Sequence, residues 1–208
     1  MIHKKYLTNK YFAYSLVTGI VFLFVSLVVE YFASDYATDK QSNAVTDIIL
    51  SNIPIFNVAD IFVYGFFAVI IFIIILCLIK PQRMLFILKS TSVFILIRSV
   101  FITMTHVGIY PNIVATNLNI FKSITSGGDL FFSGHVGFPF LMALIFWPEK
   151  KLRYSFVSIS VILGILALLG HYHYTIDVMA AYFITFGIYH ICLKWFKKDH
   201  QILLNDIN

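Results

Sequence analysis

Two histidines and a carboxylate stand where an apolar chain has little use for them. The stretch Gly170-His171-Tyr172-His173-Tyr174-Thr175-Ile176-Asp177 joins two long apolar runs. With a helix beginning near His173, His173 and Asp177 are i and i+4 and share one face. A carboxylate so placed accepts a hydrogen bond from one ring nitrogen and fixes the tautomer. The other nitrogen is then left to act as nucleophile or base. An interfacial histidine beside a capping aspartate would give the same pattern without chemistry.

A second constellation, Ser126-Gly127-Gly128-Asp129-Leu130-Phe131-Phe132-Ser133-Gly134-His135, opens another apolar run. Glycines allow close backbone approach, and N–H groups at a helix start favour an anion, of which phosphate is the natural example. One histidine can attack such a group while the other protonates the departing oxygen, dividing one hard displacement into two easier ones. The alternative is a plain Gly-Gly loop with His135 at an interface. Arg98 is the third anomaly, a cation inside an apolar segment, where burial is costly and function is the default hypothesis. Counted from Met84 it lies about 20 Å along a helix, within side-chain reach of both histidines. Its fork of donors suits phosphate oxygens; the competing reading is a structural ion pair with Asp60 or Asp177.

The elements that must position these groups are membrane spans. The chain has 208 residues, 60% hydrophobic and 12% charged, with mean hydropathy +0.88. A soluble domain would carry about a quarter charged residues, so this is an integral membrane protein. Six apolar runs approach the roughly 20 residues that cross a bilayer. They cover about Tyr11–Phe32, Ala59–Ile79, Met84–His106, Leu130–Trp147, Leu152–Leu169 and Tyr174–Phe196. The fourth is short and carries Gly134, Gly137 and Pro139, which predicts a broken or tilted start. Two long loops follow, Ala33–Val58 and Val107–Asp129. The expected architecture is an all-α, six-helix membrane bundle forming a single domain over residues 1–208. Cys77 and Cys192 lie inside apolar runs and suggest neither a disulfide nor a metal site.

Basic residues set the expected orientation. Twelve of the fifteen Lys and Arg flank the spans on one side: Lys4, Lys5, Lys10, Lys80, Arg83, Lys89, Lys150, Lys151, Arg153, Lys194, Lys197 and Lys198. The positive-inside rule then puts both termini in the cytoplasm, and both long loops and both histidine motifs on the extracytoplasmic face. The net charge of +5 needs no nucleic-acid partner.

Taken together, Gly128-Asp129, Ser133-Gly134-His135, His173-Tyr174-Thr175-Ile176-Asp177-Val178 and Ala181-Tyr182-Phe183-Ile184-Thr185 resemble the signature motifs of the sphingomyelin synthase family. That family is a branch of the lipid phosphate phosphatase superfamily. The resemblance runs from about Ala59 to Tyr189 and includes Arg98 with Thr105 and, further upstream, Asp60-Ile61-Phe62. It implies transfer of a phosphocholine or phosphoethanolamine headgroup from a glycerophospholipid donor to ceramide or a related lipid alcohol. His173 would be the nucleophile of a phosphohistidine-type intermediate and Asp177 its orienting group. His135 would be the acid for the leaving diacylglycerol and then the base for the acceptor. Arg98, Asp129, Ser133, Gly134 and Tyr174 would line the substrate site, with no metal or cofactor required.

The chain also departs from the family. Gly127 stands where the family usually has cysteine and Val136 where it has threonine; Ala59 precedes Asp60 where the animal enzymes carry a proline-and-aspartate motif. The related lipid phosphatases place an arginine six residues before the nucleophilic histidine, where this chain has Ala167. Their Lys…Arg-Pro motif finds only Lys80-Pro81-Gln82-Arg83, on the opposite side. These departures favour a transferase over the runner-up, a phosphatase acting on phosphatidate or an isoprenoid pyrophosphate. A noncatalytic lipid-binding or transport protein is the third reading. His171 reads as a pocket-rim group, His106 as interfacial, and Glu30 as ordinary helix-end polarity.

Overall fold

The backbone of an apolar chain in lipid must satisfy its own hydrogen bonds, and helices do this within one segment. The computed structural model describes residues 10–111 and 131–207, and among them there is no strand. The elements are α1 (Lys10–Asp39), a 3-10 turn (Leu50–Asn52), α2 (Ala59–Ile79), α3 (Gln82–Met104), α4 (Gly134–Ile145), α5 (Lys150–Leu169), α6 (Thr175–Trp195) and α7 (Lys197–Ile207). Five of these, α1, α2, α3, α5 and α6, are long and apolar enough to cross a membrane, and α4 is a shorter apolar helix. The protein is an all-α polytopic membrane protein.

The helices follow the expected spans with two corrections, beside a fourth run that is helical only over Gly134–Ile145 and not over the expected Leu130–Trp147. Helix α1 does not end near Phe32 but continues to Asp39, so the start of the expected loop from Ala33 is helical. Ala33 and Ala37 pack against Ile102 of α3, small residues that let the two backbones approach closely. The second correction is α7, an amphipathic helix that the apolar runs do not foreshadow.

Helix α4 is central. Leu141, Met142, Ala143 and Ile145 are fully buried, and the helix packs against α5 and α6. At 12 residues it spans only about 18 Å. Pro139 lies inside it and cannot donate to the carbonyl of His135 four residues back. Around this centre, 56% of the apolar window of α3 is buried against 22% in α1. The outer faces show Val17, Val21, Phe24, Ile71, Ile74, Ile162 and Phe183, an apolar surface that a bilayer covers.

Polar groups gather at the two ends. At one end Arg83 pairs with Glu149 at 2.6 Å and lies over the Phe146 ring. There too Asp199 of α7, buried, accepts from Lys89 at 2.6 Å, Ser15 at 2.7 Å and Tyr11 at 2.8 Å. An apolar cavity of about 360 Å³ at this end is lined by Leu144, Trp147, Tyr189 and Leu204 among others. The histidine motifs lie at the opposite end: Arg98 is fifteen residues beyond Arg83 along α3, or about 22 Å.

Candidate active site

The site end is built on helix starts. Helix α6 begins at Thr175, so His173 precedes the helix rather than opening it. It still faces Asp177: His173 Nδ1 lies 3.8 Å from Asp177 Oδ2, longer than a hydrogen bond. The same Oδ2 accepts the backbone N–H of Tyr174 at 3.0 Å, which satisfies one of the donors that a helix start leaves open. Both His173 and Asp177 are buried.

His135 comes from the first turn of α4 and its ring centroid is 6.5 Å from that of His173. Two phenylalanines of α2 hold it: Phe62 stacks on it at 4.4 Å and Phe66 tilts against it at 4.3 Å. Phe62 also stacks on Tyr172 at 5.1 Å. The structure thus brings His135, His173 and Asp177 together from two helix starts separated by the whole of α5.

Arg98 reaches the same place but is already engaged. Its Nε donates to the Phe132 carbonyl at 3.2 Å, and its terminal nitrogen pairs with Glu30 of α1. The other Glu30 oxygen accepts from Ser99 at 2.5 Å. Glu30 is therefore more than helix-end polarity. Among the described residues it is a carboxylate paired with Arg98, whereas Asp60 is exposed. Gly134 makes room for this arginine, since a Cβ there would lie 3.3 Å from Arg98 Nε. Ser133 is buried with its hydroxyl unpartnered among the described residues, and its N–H donates to the Asp177 carbonyl at 3.2 Å. Asp129, and with it the Ser126–Asp129 motif, lies outside the described residues.

Tyr174 sits in a structural position. Its hydroxyl donates to the Gly108 carbonyl at 2.8 Å and accepts the Val45 N–H at 3.2 Å. The residue is 2% exposed. The α1–α2 connection is stitched over this end by further bonds. Ser42 N–H donates to the His106 carbonyl at 2.9 Å, Gly108 N–H to Asn43 at 3.1 Å, and Phe56 N–H to Leu169 at 2.9 Å. At Gly108 a Cβ would fall 2.3 Å from the Ser42 carbonyl, so only glycine fits.

Asp47, in that connection, is a second residue the sequence reading passes over. Its carboxylate accepts the Thr175 N–H at 2.7 Å, the Thr175 hydroxyl at 2.9 Å, and the N–H groups of Ile49 at 2.9 Å and Leu50 at 3.1 Å. Burial alone would raise its pKa, but these donors outweigh it and hold the carboxyl below its ordinary value. The α6 start that carries the His173 motif is thus capped from a distant loop. His171 is buried, has a left-handed backbone (φ 56°) and has neither ring nitrogen hydrogen-bonded among the described residues. Its ring meets that of Tyr110 edge-on at 5.1 Å.

Two imidazoles 6.5 Å apart at the ring centres, one beside a carboxylate, can carry out attack and proton transfer on opposite sides of a phosphorus atom. No curated protein and no solved structure matches the chain. Residues 126–194, which contain both histidine motifs, match the PAP2 superfamily C-terminal family. That match supports placing the chain in the PAP2, or lipid phosphatase, superfamily, whose members are typically lipid phosphatases or phosphotransferases.

Proposed function

We propose that the protein is a lipid phosphotransferase that moves a phosphocholine or phosphoethanolamine headgroup from a glycerophospholipid to ceramide or a related lipid alcohol. The observation that carries this reading is the convergence of His135, His173 and Asp177 at one end of an apolar bundle. His173 Nδ1 is the nitrogen toward Asp177, so Nε2 attacks phosphorus. A P–N bond forms, the P–O bond to diacylglycerol breaks, and His135 gives its proton to that leaving oxygen. His135 then takes the proton of the acceptor hydroxyl, whose oxygen attacks phosphorus and releases His173. Neither step requires a metal. The single membrane domain has its catalytic core at about residues 59–189, opening on the extracytoplasmic face.

Two observations favour transfer over hydrolysis. Ala167, where related phosphatases carry an arginine, is fully buried in the apolar core. The Lys80–Arg83 cluster lies at the far end of the bundle, with Arg83 committed to Glu149. The test uses purified protein in mixed micelles with phosphatidylcholine or phosphatidylethanolamine as donor. Fluorescent ceramide and fluorescent diacylglycerol are the acceptors, with a His173→Ala control. A new phosphorylated lipid that disappears in the control is the expected result. Phosphate released from phosphatidate in a His173-dependent way, with no lipid product, would instead make the protein a phosphatase. Binding and movement of lipid unchanged by His173→Ala would make it a noncatalytic lipid-binding or transport protein.

A further inference from the structure

Helix α1 is mostly a lipid-facing helix and lies outside the span of the family resemblance, yet it sends one carboxylate to the site. Glu30 engages the Arg98 guanidinium on one oxygen and the Ser99 hydroxyl on the other. Arg98 Nε in turn holds the carbonyl of Phe132. The N–H of that same peptide group belongs to Ser133 and donates to the backbone carbonyl of Asp177. One peptide group is therefore pinned on one edge by Arg98 and on the other by the first turn of α6. It stands two residues before His135, and its orientation sets where α4 starts relative to His173.

We propose that Glu30 is a positioning residue: acting through Arg98, it fixes the Phe132–Ser133 peptide and with it the placement of His135 against His173. An arginine in an apolar span keeps one geometry only when its charge is matched. Removal of the Glu30 carboxylate takes away one of the acceptors that fix the guanidinium, so the buried cation shifts toward its other partners. The Arg98 side chain packs against Gly134, so any shift of the guanidinium moves the turn that carries His135. Tight placement matters because a displacement of about 1 Å between reacting groups costs about 100-fold in rate.

The catalytic part of this inference rests on the proposed transferase reading, and the positioning part does not. The test therefore pairs two measurements on the full-length Glu30→Gln protein in micelles. Hydrogen–deuterium exchange at Ser133 through Gly137 is expected to rise about tenfold, the shift in local opening that loss of one charged hydrogen bond brings. Exchange in α5 stays unchanged. In the transfer assay kcat is expected to fall about 10- to 100-fold with KM within about twofold of wild type. Ser99→Ala, which removes only the hydroxyl on the second Glu30 oxygen, repeats both measurements with smaller effects should Glu30→Gln not fold. Unchanged exchange at Ser133–Gly137 would overturn the proposal. So would a changed KM at unchanged kcat, because that result would make Glu30 a competitor for Arg98 at the substrate and not a positioning group. Raised local exchange in a protein whose wild type transfers no headgroup would sink the transferase reading alone and uphold the positioning.

Discussion

Asp47 offers the sharpest test of how the site is held. Replacing it with alanine removes four hydrogen bonds, two of them to Thr175 at the start of α6, 128 residues away in sequence. The other two, from Ile49 and Leu50, shape the loop itself. Hydrogen bonds to a charged group contribute about 1.5–3 kcal/mol each in isolation, but water replaces some of them in the variant. A lost helix cap alone costs about 1 kcal/mol. The sum expected for Asp47→Ala is therefore about 2–4 kcal/mol, or a drop of roughly 5–15 °C in apparent melting temperature for a chain of this size. The sign with pH follows from the depressed carboxyl pKa. Its contribution is full above the unfolded value of about 3.9 and is lost as pH falls through the lower folded value. The gap between wild type and variant should be constant at neutral pH and close progressively below about pH 4. Melting of the detergent-solubilised proteins by size-exclusion after heating measures it, with Thr175→Val completing a double-mutant cycle. Melting points within about a degree of each other, or a gap that persists unchanged at acid pH, would refute the capping role.

Two further outcomes concern the opposite end of the bundle and the orientation of the whole. Lys89→Met leaves the buried Asp199 carboxylate without its cation and should destabilise by on the order of 3 kcal/mol, while Lys89→Met with Asp199→Leu should recover most of that. Equal melting of the single and double variants would show that the pair does not anchor α7. Cysteines placed at the exposed Ser51 and Lys150 should react oppositely with a membrane-impermeant maleimide on intact cells. Ser51→Cys labels and Lys150→Cys does not, against the low background of the buried Cys77 and Cys192; the reverse pattern would invert the proposed orientation.

Five of the six apolar runs were legible because the bilayer imposes their length and the helix is what an isolated span can adopt, whereas the fourth yields a helix of only 12 residues. What escaped is what the bilayer does not dictate. Residues 33–39, Ala-Ser-Asp-Tyr-Ala-Thr-Asp, read as a polar loop, but they continue α1 because Ala33 and Ala37 find Ile102 on α3. Helix α7 has too few apolar residues to announce itself, and its place depends on one buried carboxylate meeting Lys89. Asp47 has no local signature at all. It is one of several acids in a polar stretch, and only the folded loop shows which of them reaches Thr175.

The site residues divide on the same principle. His135, His173 and Asp177 stand out because each is polar at the mouth of an apolar run, and the structure gathers them. Arg98 stands out for the same reason, and the rule that singles it out applies equally to Glu30: a charge within an apolar span needs a partner. The sequence thus requires a carboxylate for Arg98 and offers several near the same end, Glu30, Asp60 and Asp177 among them. Alternation of the spans makes α1 and α3 parallel, and their contacts run in step. Gly19 lies by Leu88, Glu30 by Arg98, and Tyr36 by His106. Close approach at Gly19, where a Cβ would meet Leu88 at 3.3 Å, brings α1 near enough for Glu30 to reach. Asp177 is meanwhile occupied by the Tyr174 N–H and Asp60 faces outward. Choosing among these carboxylates depends on which helix packs beside α3, a tertiary fact that hydropathy does not encode. It makes the first span, to all appearance a lipid-facing anchor, part of the machinery that sets the two histidines.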